Sequence, residues 1–165
     1  AFQKVVAHRP KSLLLIVGPG EQYRELIEQS AELGLSGNVI FTGHLNGTGR
    51  QWRDAFRVGN LFVMPSVSEP FGITPFEALA QRTPALISKQ TGSSEILHSV
   101  LKVDFWDIDE MANQIAAVLD HEELAATLAE NGHDELMKQS WKQPAETVLH
   151  HYQRHAAEHR ELAYV

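Results

Sequence analysis

The 165-residue chain contains no cysteine. That excludes disulfide frameworks, thiol catalysis and zinc-cysteine sites, and fits a reducing compartment, so a cytoplasmic location is expected. Positive charge is also scarce: 14 Lys and Arg face 21 Asp and Glu, a formal net charge of -7. Such a balance argues against electrostatic binding to nucleic acid or an anionic membrane surface. No apolar run approaches the roughly 18 residues that a membrane span needs, and no secretory signal opens the chain. What is present is the length of one domain and 43% hydrophobic residues, enough to build a core. The chain starts on Ala1, and Ala1 to His8 reads as a helix in mid-course, with Phe2, Val5 and Val6 at helical spacing and no capping residue ahead.

Five short apolar runs read as buried strands: Ser12 to Val17, Asn38 to Thr42, Asn60 to Pro65, Pro84 to Ser88 and Val100 to Val103. Helical patterns separate them at Glu21 to Leu33, Arg50 to Val58, Thr74 to Arg82 and Ser94 to His98. This alternation predicts an α/β fold, a Rossmann-like doubly wound parallel sheet, over residues 1–105. Residues 106–165 read as a helical tail of three helices, Asp107 to Leu119, Glu122 to Asn131 and Pro144 to about Leu162, the first opened by the capping box Asp107 to Glu110.

Ligands of such folds bind beyond the carboxyl ends of the strands. The loops there, Gly18 to Glu21, Gly43 to Gly47, Ser66 to Gly72 and Lys89 to Ser94, are rich in Gly and Ser, which lets backbone N–H groups approach a ligand. Gly18-Pro19-Gly20 is not a dinucleotide fingerprint, because Tyr23 stands where its third glycine belongs and no acidic residue ends the next strand. Glu69 and Glu77 stand eight positions apart. Glu69 lies on a loop leaving a buried strand, where no local motif explains it. Glu77 has two readings that remain open: a ligand for hydroxyls, or the last member of a capping box, Thr74-Pro75-Phe76-Glu77, with Pro at the first helical position.

His151, His155 and His159 sit four apart on one stripe of the tail, without a carboxylate or sulfur ligand arranged beside them, and no metal site is assigned. The neighbouring stripe Val148, Leu149, Tyr152 and Ala156 is expected to be that helix's core face, and Trp52, Trp106 and Trp141 are expected to serve packing.

The segment from Asn60 to Ala80, NLFVMPSVSEPFGITPFEALA, resembles the C-terminal donor-binding domain of the retaining family 4 glycosyltransferases, the group 1 glycosyltransferases with two Rossmann-like lobes. Their pattern is a strand ending in Pro-Ser, then Glu-x-Phe-Gly, then a second Glu opening a helix. Leu14 to Gly20, Val39 to Gly43, Gly92 to Ile96 and Ser140-Trp141 fall where the family has its counterparts. The resemblance implies a nucleoside-diphosphate sugar as donor substrate, with Glu69 catalytic beside the sugar hydroxyls and Glu77 on the ribose. It places Phe71, Gly72, Ile73 and Thr74 against sugar and diphosphate, and Gly43, His44 and Leu45 against the base. Gly18 joins this donor site, and Lys89, at the mouth of another strand, is a candidate cation for the diphosphate. Transfer would retain anomeric configuration without a metal or other cofactor.

The family also carries an Arg and a Lys that clamp the diphosphate, on a first strand and loop that would precede Ala1, as would the N-terminal acceptor lobe. Charged hydrogen bonds are worth about 1.5–3 kcal/mol each, so a chain without that pair is expected to bind donor weakly and to be inactive alone. Its sheet is expected to show five parallel strands with a gap where the first belongs. Asn60 stands where the family often has Asp, and Ser93 where it often has a second Gly. The alternatives are a non-catalytic binding or regulatory module, or a lobe of a nucleotide-sugar epimerase or phosphorylase.

Overall fold

Short runs of branched apolar residues separated by amphipathic stretches fold as alternating strands and helices. The structure, a computed structural model, describes residues 1–47 and 49–162. The elements run α1 (Phe2–His8), β1 (Leu14–Val17), α2 (Tyr23–Glu32), β2 (Val39–Gly43), α3 (Arg50–Arg57), β3 (Phe62–Met64), α4 (Thr74–Ala80), β4 (Ala85–Ser88), α5 (Ser93–Ile96) and β5 (Leu101–Val103). Three helices follow without a strand: α6 (Ile108–Asp120), α7 (Glu122–Lys138) and α8 (Lys142–Leu162). All strand pairings are parallel, in a two-stranded sheet β1-β2 and a three-stranded sheet β3-β4-β5. No strand pairing joins the two sheets, so β1, β2, β3 and β5 each have one edge without a strand partner among the described residues. Five parallel strands with a gap is the expected arrangement.

The buried mass lies around β4, whose four residues are all buried. On one side Leu86 and Val103 pack with Val5 of α1 and with Met111, Ala112 and Ile115 of α6. On the other, Ile87, Ala85 and Met64 pack with Leu79 of α4, Leu97 and Val100. Asp107 caps α6 as expected, its carboxylate accepting from the Glu110 N–H at 2.9 Å.

Helix α7 runs seven residues beyond the expected end at Asn131. Asn131-Gly132 reads as a stop signal, yet Gly132 is there because α7 lies close on α4: a Cβ would sit 2.5 Å from Leu79 Cδ2. The added turns hold two other helix ends. His133 Nδ1 meets the Leu79 carbonyl at 3.0 Å, and the Glu135 carboxylate accepts the N–H groups of His98 (2.8 Å) and Ser99 (2.7 Å).

Helix α8 also departs from expectation. Its stripe Val148, Leu149 and Tyr152 is exposed, as is Trp141 ahead of it, because after the extended Gln139 the chain leads α8 away from the core. Trp106 is likewise exposed, leaning edge-on against Phe105. His159, the third member of the histidine stripe, lies outside the described side chains. No helix among the described residues is long and apolar enough to cross a membrane.

Carboxylates fasten α1 to α6. Asp120 accepts from Arg9 and from His8 (2.9 Å), and Lys4 meets Asp109 at 2.6 Å. The hydrogen bond from Arg9, then that from His8, holds Asp120 below its ordinary value of 3.8, and Lys4 does the same for Asp109. At Glu135 burial pushes the carboxyl up, but the N–H groups of Ser99 and His98 together outweigh it and leave it below 4.5. These groups bind protons more weakly folded than unfolded, so their stabilisation is complete above the ordinary carboxylate values and is lost as pH falls through the lowered ones. Tm should therefore be level from neutrality to about pH 5 and fall below it. Asp120→Asn should flatten part of that fall, measured by thermal scans at low and high salt, with the exposed pairs contributing less at high salt.

Candidate functional site

Beyond the carboxyl ends of β3 and β4 the two chains stay zipped together. Strand pairing ends at Met64 and Ile87, then resumes in an isolated parallel bridge between Glu69 and Thr91. The Gly92 N–H donates to Glu69 O (3.0 Å) and the Ser93 N–H to Phe71 O (2.7 Å). Gly92 is required by this approach, since a Cβ there would meet Pro70 O at 2.1 Å. Three buried hydroxyls complete the seam: Ser88 to Ser66 O (2.5 Å), Thr91 to Ser88 O (2.9 Å) and Ser93 to Thr91 Oγ1 (3.2 Å). Ser93, where a second glycine was the expected pattern, is thus accommodated with its hydroxyl satisfied.

The backbone of Glu69 is fixed by this seam, and its side chain by the turn that follows. Gly72 adopts φ +84°, and a Cβ there would lie 2.9 Å from Met64 Cε and 3.1 Å from Glu69 Cγ. Phe71 stacks on Phe76 at 5.3 Å and 11°. The first amides of the α4 turn to donate to a backbone carbonyl are those of Phe76 and Glu77, both to Ile73 O (2.9 and 3.2 Å). Those ahead of them, at Ile73 and Thr74, have no backbone acceptor among the described residues, the usual condition of a helix start.

The capping box does not form. Thr74 lies inside α4, Ile73 is the N-cap, and no side chain caps the helix. The Thr74 hydroxyl donates to Met64 Sδ at 3.3 Å. The Glu77 carboxylate reaches across to α3, where Oε1 accepts the indole N–H of Trp52 at 3.1 Å. The local explanation for a glutamate at 77 therefore falls away.

The loops after β1 and β2 meet in the same manner. The Gly18 N–H donates to Gly43 O at 2.9 Å, with φ +111° at Gly18 and +67° at Gly43. His44 is exposed and Leu45 half-buried on the loop leading into α3, so the Trp52–Glu77 hydrogen bond links this loop's helix to α4. Lys89 is drawn elsewhere: its ammonium meets Asp104 Oδ2 at 2.8 Å, a carboxylate also bound by Gln90. The hydrogen bond with Asp104 raises Lys89, and that with Lys89 lowers Asp104. Among the described residues no three His, Asp or Glu side chains group as metal ligands. Trp52 and Met64 were missed by sequence reasoning. The signal for Trp52 was its indole N–H, which needs an acceptor when partly buried.

A doubly wound parallel lobe whose loops meet beyond the carboxyl ends of its strands belongs to the class of α/β folds that bind ligands at that edge. The family model described as Glycosyl transferases group 1 matches residues 1–135. The chain belongs to that family and corresponds to its C-terminal lobe. It is 32% identical over 139 residues to the lipopolysaccharide core biosynthesis glycosyltransferase LpsE of Rhizobium meliloti, covering 82% of this chain and 40% of that protein. Among solved structures it is similar to Anabaena HepE in complex with UDP-glucose, with 25% identity, TM-score 0.76, 88% of this chain and 43% of that one. The C-terminal domain of the group 1 protein LpcC from Francisella tularensis shares the fold, at 19% identity and TM-score 0.73 over 84% of this chain and 76% of that one. The chain thus spans well under half of the full-length relatives named.

Proposed function

We propose that the chain is the donor-nucleotide lobe of a retaining hexosyltransferase, which takes a hexose from a nucleoside-diphosphate sugar to an acceptor held by another lobe of the same enzyme. The observation that carries this reading is the Glu77 carboxylate, released from helix capping and held at a turn whose other end carries Glu69. A carboxylate offers about four lone-pair positions, so both groups suit a ligand rich in hydroxyls. Glu69 lies beside the sugar and orients it, and Glu77 takes the ribose hydroxyls. The N–H groups from Gly72 to Thr74 face the diphosphate, and Gly43, His44 and Leu45 lie along the base, with Gly18 beside them. HepE, whose structure holds UDP-glucose, supports this class of donor. Lys89 contributes to the diphosphate only by exchanging Asp104 for it. We place the enzyme in the cytoplasm, and the lobe alone performs no transfer.

Titration of the chain with UDP, GDP and ADP, followed by backbone amide resonances, tests the reading. Gly72 and Glu77 should move at millimolar concentration for at least one of the three, because N–H groups without a cationic clamp supply only part of the roughly 8 kcal/mol of micromolar binding. If saturating amounts of all three leave these resonances in place, the donor reading is lost.

A further inference from the structure

We propose that Trp52 is the positioning residue of the ribose subsite, holding the Glu77 carboxylate through its indole N–H so that the rest of the group's acceptor capacity is aimed at the ribose diol; this rests on the reading of Glu77 as the ribose ligand. The indole reaches Glu77 Oε1 at 3.1 Å from the first turn of α3, whereas Glu77 stands in the first turn of α4. Neither helix uses the contact to cap itself.

The indole is itself held. Its ring packs edge-on against Phe56, one helical turn on, at 5.3 Å and 86°. Phe56 is buried and packs on Phe62 of β3 at 5.5 Å, while its carbonyl accepts from Thr83 at 2.8 Å. The position of Glu77 Oε1 is thereby referred to β3, the strand whose far end leads to Glu69. Trp suits this task chemically. It is a donor without acceptor capacity, it has two side-chain torsions to immobilise, and it carries no charge. A Lys or Arg in its place would neutralise the carboxylate and compete with the diol. The arrangement fixes the Glu77 carboxylate at one oxygen through a donor that carries no charge.

The test uses the chain with UDP, GDP and ADP, and the 2′,3′-dideoxy counterpart of whichever binds. Trp52→Phe keeps the ring contact with Phe56 and deletes the donor. It should weaken ribonucleotide binding about fivefold to tenfold, at the low end for a hydrogen bond to a charged group because the site is half exposed. Binding of the dideoxy analogue should change less than about twofold, and in a Glu77→Ala background Trp52→Phe should have no further effect. The Trp52 indole N–H resonance of the unaltered chain, assigned through its contact with the Phe56 ring, should shift with the ribonucleotide and stay with the dideoxy analogue. Equal weakening of both ligands by Trp52→Phe, no weakening at all, or an indole resonance indifferent to the diol overturns the proposal. Should Glu77→Ala leave ribonucleotide binding intact, the ribose reading of Glu77 fails, and with it this inference. Should Trp52→Phe fold poorly, the indole resonance of the unaltered chain carries the decision.

Discussion

Glu69→Gln in the complete transferase is expected to lower kcat by about two to three orders of magnitude, equivalent to about 2.7–4 kcal/mol of transition-state stabilisation. The substitution keeps the size of the side chain and the backbone seam through Glu69 O and Gly92 N–H. What it removes, in the proposed reading, is the negative charge facing the sugar, where positive charge would develop as the diphosphate departs. Affinity for the bare nucleoside diphosphate should stay within about twofold, since in the proposed reading Glu69 faces the sugar and not the nucleotide, and Tm should stay within a few degrees. Steady-state kinetics with the donor varied, alongside nucleotide titration, separates these quantities. A kcat within threefold of the parent enzyme would remove Glu69 from the chemistry. Loss of nucleotide affinity in step with kcat would mean that the seam had been disturbed instead.

The largest stability effect is expected at Leu79→Ala. Leu79 is fully buried among Met64, Ala85, Ile87, Leu97 and Val100, and truncations of this kind cost about 2–5 kcal/mol out of a total near 5–15 kcal/mol. The same side chain also explains why α7 contains a glycine in mid-course. Gly132→Ala alone should destabilise the chain by about 1–3 kcal/mol through overpacking, because the new Cβ would lie 2.5 Å from Cδ2 of the fully buried Leu79, which would have to shift. With Leu79→Ala already present the clash is gone, and the added methyl should instead stabilise by up to about 1 kcal/mol through helix propensity. Urea unfolding of the four variants reads the coupling directly. An equal cost of Gly132→Ala in both backgrounds would show that the Leu79 contact is not what excludes a side chain at 132.

These two sites also mark where the sequence was legible and where it was not. The buried strands were readable because each is a continuous apolar run with polar and glycine punctuation, and each observed strand starts and ends within two residues of the expected one. Glu69 was singled out for a related reason, since a carboxylate on a loop leaving a buried strand has no local use. At Glu77 local pattern misled: Thr-Pro-Phe-Glu has the spacing of a capping box, but the Thr74 hydroxyl finds Met64 and the carboxylate finds Trp52. Both partners are more than nine residues away in the chain, so no window around α4 contains them. Gly132 misled in the same way, because its neighbour Leu79 is brought to it by tertiary packing. Lys89 was placed correctly at a strand mouth, but its pairing with Asp104 depends on where β5 ends beside β4.

The division of the strands into two sheets makes the molecule mechanically uneven. Every residue of β4 is buried and β3 and β5 flank it, whereas β1 is half-buried throughout and α2 contributes no buried residue. Cooperative units of a protein open with free energies that follow such differences, so the β1-α2-β2 unit is the one that opens first and the β3-β4-β5 unit retains its order. Gly18 and Gly43 belong to the yielding unit, Glu69 and Glu77 to the lasting one. In the proposed reading, a nucleotide with its base on one unit and its sugar on the other would act as a cross-strut, lending the weaker unit the cohesion of the stronger.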